Sequence, residues 1–293
     1  MEHAPARPQL GAKLPMAAAS TSAGDLRRTI ETIAGAGFDY LSTEDHVVGP
    51  TLPPGASPAN NQKPLQETFV TLAYAAAIAP GLGLSSGVLI LPQRQTALVA
   101  KQAAGIDLLS GGRLRLGVGI GWSDLEYRAL GIPWRGRAGR LEEQIDLLRR
   151  FWTASSVSAS SPAHQFDDAM IAPLPVQRPI PVWIGANSAA GVERAARIAD
   201  GFISMMTRET GIEAQVGALR QHLLTAGRNP DQFPVEGWID LGGKSLDAVA
   251  DDYRYLAALG ISRITLVPET VPGDLDAKLG GLVRAREVIA QAG

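Results

Sequence analysis

The sequence predicts an α/β protein folded as a (β/α)8 TIM barrel, with insertions after the second and fourth strands. Three observations carry this expectation. Short apolar runs alternate with longer stretches of helical spacing, the pattern of parallel strands joined by crossover helices. Roughly eight strand–helix units follow one another, the number that closes a barrel. The 293 residues, 45% of them hydrophobic, suffice for one barrel as a single domain over residues 1–293. An open doubly wound sheet is the rival; it would carry its glycine-rich turn near the first strand, whereas here that turn follows the fourth.

The first strand is read at Leu10 to Leu14, stopped by Pro15. Thr21 and Ser22 offer a cap for a helix over Asp25 to Ala36, which Gly37 ends in the left-handed conformation. Phe38 to Thr43 is the second strand. The Pro- and Gly-rich loop Val48 to Pro64 is too long for a plain βα turn and reads as functional. After an apolar block at Glu67 to Ala79, the third strand spans Leu82 to Leu91. A helix over Thr96 to Leu109 is broken by Gly111 and Gly112. Leu114 to Val118 is the fourth strand. Arg140 to Trp152 is an amphipathic helix with Leu141, Ile145, Leu148 and Trp152 on one face. Ala154 to Ala163 reads as an exposed excursion. Strands five to eight follow at Pro181 to Ile184, Phe202 to Met205, Val235 to Leu241 and Ile261 to Val267, each trailed by a helix.

Composition narrows the function. A net charge of −2 gives no basic footprint for nucleic acid. No apolar run is long enough to span a membrane, and the first residues lack the apolar core of a signal peptide. The absence of cysteine excludes disulfides and thiolate chemistry and suits a cytoplasmic protein. No metal site is expected.

Barrel enzymes work at the C-terminal ends of their strands. Those ends carry Glu44-Asp45-His46, Ser86-Gly87-Val88, Gly119-Ile120-Gly121-Trp122, Gly185-Ala186-Asn187-Ser188 and Met205-Met206. Gly185 to Ser188 lies between a strand and a helix, where backbone N–H groups and the helix dipole suit a phosphate; an ordinary capped turn reads equally well. His46 is the candidate for proton transfer, because imidazole titrates near neutrality; a surface histidine is the alternative. Asp45 could orient it, although adjacent side chains leaving a strand point apart. His3, His164 and His222 are poorer candidates. Neither a carboxylate/histidine cluster nor a strand-end lysine, as a metal or aldolase barrel would need, is read at the rim.

Several motifs occur together: Leu-Ile-Leu-Pro-Gln-Arg at 89–94, Asp-Leu-Leu-Ser-Gly-Gly-Arg at 107–113, Leu-Gly-Val-Gly-Ile-Gly-Trp at 116–122 with Glu126, and Pro-Val-Gln-Arg-Pro-Ile-Pro-Val-Trp-Ile-Gly at 175–185. With these the chain resembles the luciferase-like monooxygenase family, and within it the branch of coenzyme F420-dependent oxidoreductases. The resemblance implies hydride transfer between F420 and a small substrate. Asp45-His46 looks like that branch's active-site pair, with the histidine beside the deazaflavin ring. A non-prolyl cis peptide is implied at Gly87-Val88, backing the ring, and the cofactor phosphate near Gly185 to Ser188. Ser86, Gly119 and Gly121 complete the implied cofactor site, and Trp122 and Met206 the substrate pocket. A homodimer is implied too.

Some positions depart from the family pattern. Trp122 stands where sugar-phosphate dehydrogenases of the branch carry a glutamate acid, so an apolar or aromatic substrate is expected. Gly105 stands in a helix where a larger residue is usual, and is read as packing. Asp107, Ser110 and Arg113 are read as structural, and Lys101 as serving the surface or an interface. The same fold binding reduced FMN as a monooxygenase is the main alternative; a barrel that merely carries the ring is another.

Overall fold

The computed structural model describes residues 7–19, 22–51 and 64–292. The strands are β1 (Gln9–Lys13), β2 (Tyr40–Thr43), β3 (Gly83–Ser86), β4 (Leu89–Ile90), β5 (Leu114–Gly119), β6 (Val157–Ser160), β7 (Gln165–Ala169), β8 (Val182–Gly185), β9 (Gly201–Ile203), β10 (Val235–Asp240) and β11 (Arg263–Val267). The helices are α1 (Met16–Ala19), α2 (Ala23–Gly35), α3 (Thr68–Ile78), α4 (Thr96–Ser110), α5 (Asp124–Ala129), α6 (Arg137–Thr153), α7 (Ala189–Ile198), α8 (Ile212–Thr225), α9 (Leu246–Ala258) and α10 (Leu275–Ala292).

The main sheet runs β3-β2-β1-β11-β10-β9-β8-β5-β4, and β3 also pairs with β5, which closes it into a cylinder. Its pairings are parallel, as crossover helices require. β3 and β4 are the two halves of the third predicted strand, so the barrel has eight staves. The strand breaks at Gly87-Val88, where the peptide bond is cis, at the place implied by the resemblance.

Local signals act as expected at several ends. Ser22 caps α2 by accepting from Asp25 N at 3.0 Å, and Gly37 leaves that helix at φ 78°. Gly111, at φ 69°, ends α4. Thr21, His3 and residues 52–63 of the long loop lie outside the described residues. Leu141, Ile145, Leu148 and Trp152 are all buried, and Trp152 Nε1 donates to Ala100 O, fixing α6 on α4.

Two readings gain detail and one, that of Gly105, needs correction. Ala154 to Ala163 is largely exposed, as read, but ordered: β6 and β7 form an antiparallel hairpin laid on α6. Val157 is buried, Phe166 stacks on Phe151 at 5.7 Å, and His164 ties Thr96 to Glu143. Asp107, Ser110 and Arg113 are structural, as read: Arg113 N and Nε donate to Ser110 Oγ and O at 3.2 and 2.5 Å across the turn. Asp107 accepts from Gln177 N and Nε2 at 2.9 and 2.7 Å, joining α4 to the irregular segment before β8, while Arg113 also donates to carbonyls at the end of α3. Gly105 has no packing role, because a Cβ there would meet no atom within 4 Å. Lys101 donates to Ala172 O on the surface.

The barrel interior is charged in its lower half. Arg115 is ion-paired with Glu236, both buried, and stacks over Trp183 at 4.3 Å. Thr265 Oγ1 donates to Glu236 at 2.8 Å, and Ser85 accepts from Arg115 at 2.8 Å. Burial pushes the Tyr40 phenol up; its hydroxyl pairs with Thr265 at 2.8 Å. This layer lies on the N-terminal half of the strands and fills the cylinder beneath the rim.

Gly105→Ala should stabilise the fold by about 1 kcal/mol, since it removes backbone entropy from a helix interior without a clash. Thermal unfolding checks this; an unchanged or lower Tm would mean that the position is constrained by something other than its own helix.

Candidate active site

A cavity of about 420 Å³ opens at the C-terminal rim. It is within the range of small-molecule and cofactor pockets. One side is built of glycine and aliphatic side chains. Gly87 and Val88 lie between β3 and β4, and Gly119 and Gly121 at the end of β5. Gly185, Ala186, Asn187 and Ser188 run from β8 into α7. A Cβ on Gly119 would come within 2.7 Å of Val88 Cγ2, and one on Gly185 within 2.6 Å of Val88 Cγ1. Val88 is thus held between two strands that can approach it only as glycine. Ser188 caps α7, accepting from Gly191 N at 3.3 Å, and α7 directs its N-terminus at the cavity wall. Arg194, one turn further on, also lines the cavity and pairs with Glu142 at 2.8 Å.

The opposite side carries a histidine–carboxylate pair. His46 lines the cavity, with Nδ1 3.0 Å from Glu126 Oε2. Glu126 is fully buried and also accepts from Val47 N at 2.8 Å. Short helix α5 places it: Tyr127 beside it is buried, and its hydroxyl donates to Ile120 O at 2.7 Å, pinning α5 to the end of β5. Burial pushes the Tyr127 phenol up to about 12, so it remains a donor. Trp122, 59% exposed, meets the His46 ring edge to face at 5.6 Å and forms part of the rim.

Asp45 does not engage His46. It accepts from Ile90 N at 2.8 Å and from Arg94 Nη2 at 2.5 Å, and Arg94 reaches Glu67, the cap of α3, at 2.9 Å. Burial pushes the Asp45 carboxyl up, and the Arg94 guanidinium and the Ile90 N–H pull it back. Asp45 therefore fixes the chain just beyond Val88 while its neighbour faces the cavity, as alternation at a strand end dictates.

Two expected site residues do not line the cavity. Ser86 is buried, and its hydroxyl donates to Gly117 O at 2.8 Å, bracing β3 against β5. Met206 packs on the core, and Met205 takes its place in the wall. β9 stops at Ile203, and Met206 N turns back onto Ser204 Oγ, which shifts the register by one residue.

Two residues of the candidate site escaped the sequence reading. Glu126 is the carboxylate partner of His46. Lys13, the last residue of β1, is the strand-end lysine read as missing; it is ion-paired with Glu44 and lies 4.2 Å from the Trp238 ring centroid. A lone lysine closing an apolar strand was the available signal. The rim thus gathers Glu44, His46 and Glu126, though among the described residues no group of carboxylates and histidines is arranged to hold a metal ion.

A closed parallel barrel with a glycine-lined cavity and a histidine–carboxylate pair at its C-terminal rim places the chain among the (β/α)8 barrels, whose enzymes carry their sites at that end. The luciferase-like monooxygenase family model matches residues 7–236, and the chain belongs to that family. It is 30% identical over 289 residues to an uncharacterized protein of Mycobacterium tuberculosis, covering 95% of this chain and 94% of that one. It is 38% identical over 128 residues to an FMNH(2)-dependent dimethylsulfone monooxygenase of Pseudomonas putida (42% of this chain, 35% of that one). It is 31% identical over 170 residues to an F420-dependent glucose-6-phosphate dehydrogenase of Nakamurella multipartita (56% and 50%). Relatives thus use either ring cofactor. No helix among the described residues is long and apolar enough to cross a membrane.

Gly185→Ala should destabilise the protein by about 1–3 kcal/mol through overpacking against Val88. Val88→Ala in the same chain should recover much of that loss. Denaturant unfolding of the four-member cycle measures it, and additive effects would show that Gly185 is not there for Val88.

Proposed function

We propose that the chain is an oxidoreductase that transfers a hydride between coenzyme F420 and a small, largely apolar organic molecule. One observation carries this reading: His46, backed by buried Glu126, lines the same cavity as the Gly87-Val88 segment. The residues suit a phosphorylated tricyclic ring. Gly119 and Gly185 seat Val88 in the wall and Gly121 seats Ile90, so a flat body can lie against these aliphatic side chains. Ala186, Asn187 and Ser188 at the start of α7 suit its phosphate, with Arg194 nearby. Ser86 supports this wall from behind.

When bound, the deazaflavin supplies the hydride chemistry. The chain's own residues do the rest. With Nδ1–H donating to Glu126, His46 keeps Nε2 for a proton of the substrate, and Nε2 has no protein partner among the described residues. Val47 N–H on the second oxygen of Glu126 holds the pair in place. Trp122 covers His46 at the mouth and favours apolar or aromatic substrates. The family likeness also supports a homodimer.

The second reading, reduced FMN and a monooxygenase, is favoured by the Pseudomonas putida relative. Parallel fluorescence titrations with F420 and FMN decide between them. F420 should bind more tightly; FMN binding alone would move the assignment to the monooxygenase, and binding of neither would remove both.

His46→Ala should lower kcat by roughly 10²–10⁴-fold without loss of cofactor affinity. Unchanged turnover would take proton transfer away from His46, and a mere ring carrier would be indifferent to the change. Ser188→Glu should repel the phosphate and weaken cofactor binding; it is a cleaner probe than a change at Gly185, where a side chain would strike Val88. Undiminished affinity would put the phosphate elsewhere.

A further inference from the structure

We propose that Lys13, with Glu44 and Trp238, forms the substrate end of the cavity and selects a neutral molecule with a carbonyl or hydroxyl oxygen over carboxylates and phosphates. This rests on the cavity being the reaction site proposed above.

The barrel divides the cavity by strand. The wall from β3 to β8 is made of glycine, Val88, aliphatic side chains such as Ile90 and Ile184, and the α7 turn, which suits a flat ring and its phosphate. The segments at and just beyond the ends of β9, β10, β1 and β2 contribute larger and charged side chains: Met205, Trp238, Lys13 and Glu44. A substrate lying against the ring would meet this second wall.

Lys13 is only 6% exposed, which is costly for an ammonium unless it is compensated. Two contacts compensate it: the Glu44 carboxylate and the Trp238 ring face. An ammonium has three N–H donors. One meets Glu44 and one the indole, and among the described residues the third has no protein acceptor. Since Lys13 lines the cavity, that donor is available to an oxygen of the occupant.

The charge balance sets the class. Glu44 already neutralises Lys13, so a second anion at this end would gain little from the ammonium and be repelled by the carboxylate. A neutral oxygen accepts the spare N–H without that penalty, while its apolar body rests on Trp238 and Met205. A single neutralised lysine also makes a poor phosphate subsite.

The test uses three probes with one hydrocarbon body: cyclohexanone, cyclohexanol and cyclohexanecarboxylate. They are titrated calorimetrically into the protein, with and without its ring cofactor. Wild type should bind the two neutral probes, and the carboxylate roughly tenfold more weakly. The double variant Lys13→Met with Glu44→Gln, which leaves no lone charge, should lose roughly three- to tenfold in affinity for the neutral probes. Its cofactor affinity should not change. Glu44→Gln alone frees the ammonium and should raise carboxylate affinity about tenfold. Thermal unfolding checks that both variants fold, and the single change keeps the test decisive if the double one does not. A wild-type preference for the carboxylate, no binding of any probe, or a Glu44→Gln protein that still excludes the carboxylate would each overturn the proposal. A purely structural ion pair would lower Tm and leave the probe ranking as it was. If neither cofactor binds while the probes follow this pattern, the function assigned above fails and the subsite stands.

Discussion

A carboxylate sealed from water must find its donors on the spot, and the rim of this barrel is organised by that demand. Glu126 has two: the imidazole of His46 and the amide of Val47. Both come from the segment leaving β2, whereas Glu126 sits on the helix after β5. One buried acid thus fastens two distant connections together and sets both the position and the tautomer of the histidine between them. Removing either donor would leave a desolvated charge poorly satisfied, a larger loss than that of an ordinary surface pair.

Asp45, one residue earlier, meets the same demand on the opposite side of the chain. Its partners are Ile90 and Arg94, so it locks the stretch that follows Val88. Two consecutive residues, pointing apart, therefore fix the two walls of the cavity relative to each other. Glycine does the rest, since β5 and β8 close on Val88 only where they carry no Cβ.

Much of this was legible in the chain. Alternating apolar runs gave the eight staves in order, because parallel strands buried on both faces leave that pattern wherever they occur. His46, Gly87 and the Gly185 to Ser188 turn stand at the cavity because strand ends can be read from where apolar runs stop. What was not legible depends on contacts between distant residues. Glu126 is 80 positions from His46, and nothing local marks a helix glutamate as their meeting point. The substitution of Met205 for Met206 turned on a turn one residue long, and Ser86 on which way one hydroxyl rotates. The lysine closing β1 could have been noticed, for an inward charge in an apolar strand must have a reason to be there.

The ionic layer of Arg115 and Glu236 has a bearing on how such a scaffold diversifies. It acts as a stopper, so a guest cannot sink along the cylinder axis and the vestibule can grow only outward. Larger or differently shaped guests must then be accommodated by the crossings after β2 and β5, which are free to lengthen while the staves stay unaltered. Selectivity is confined to the crown, and the trunk is spared from having to change with it.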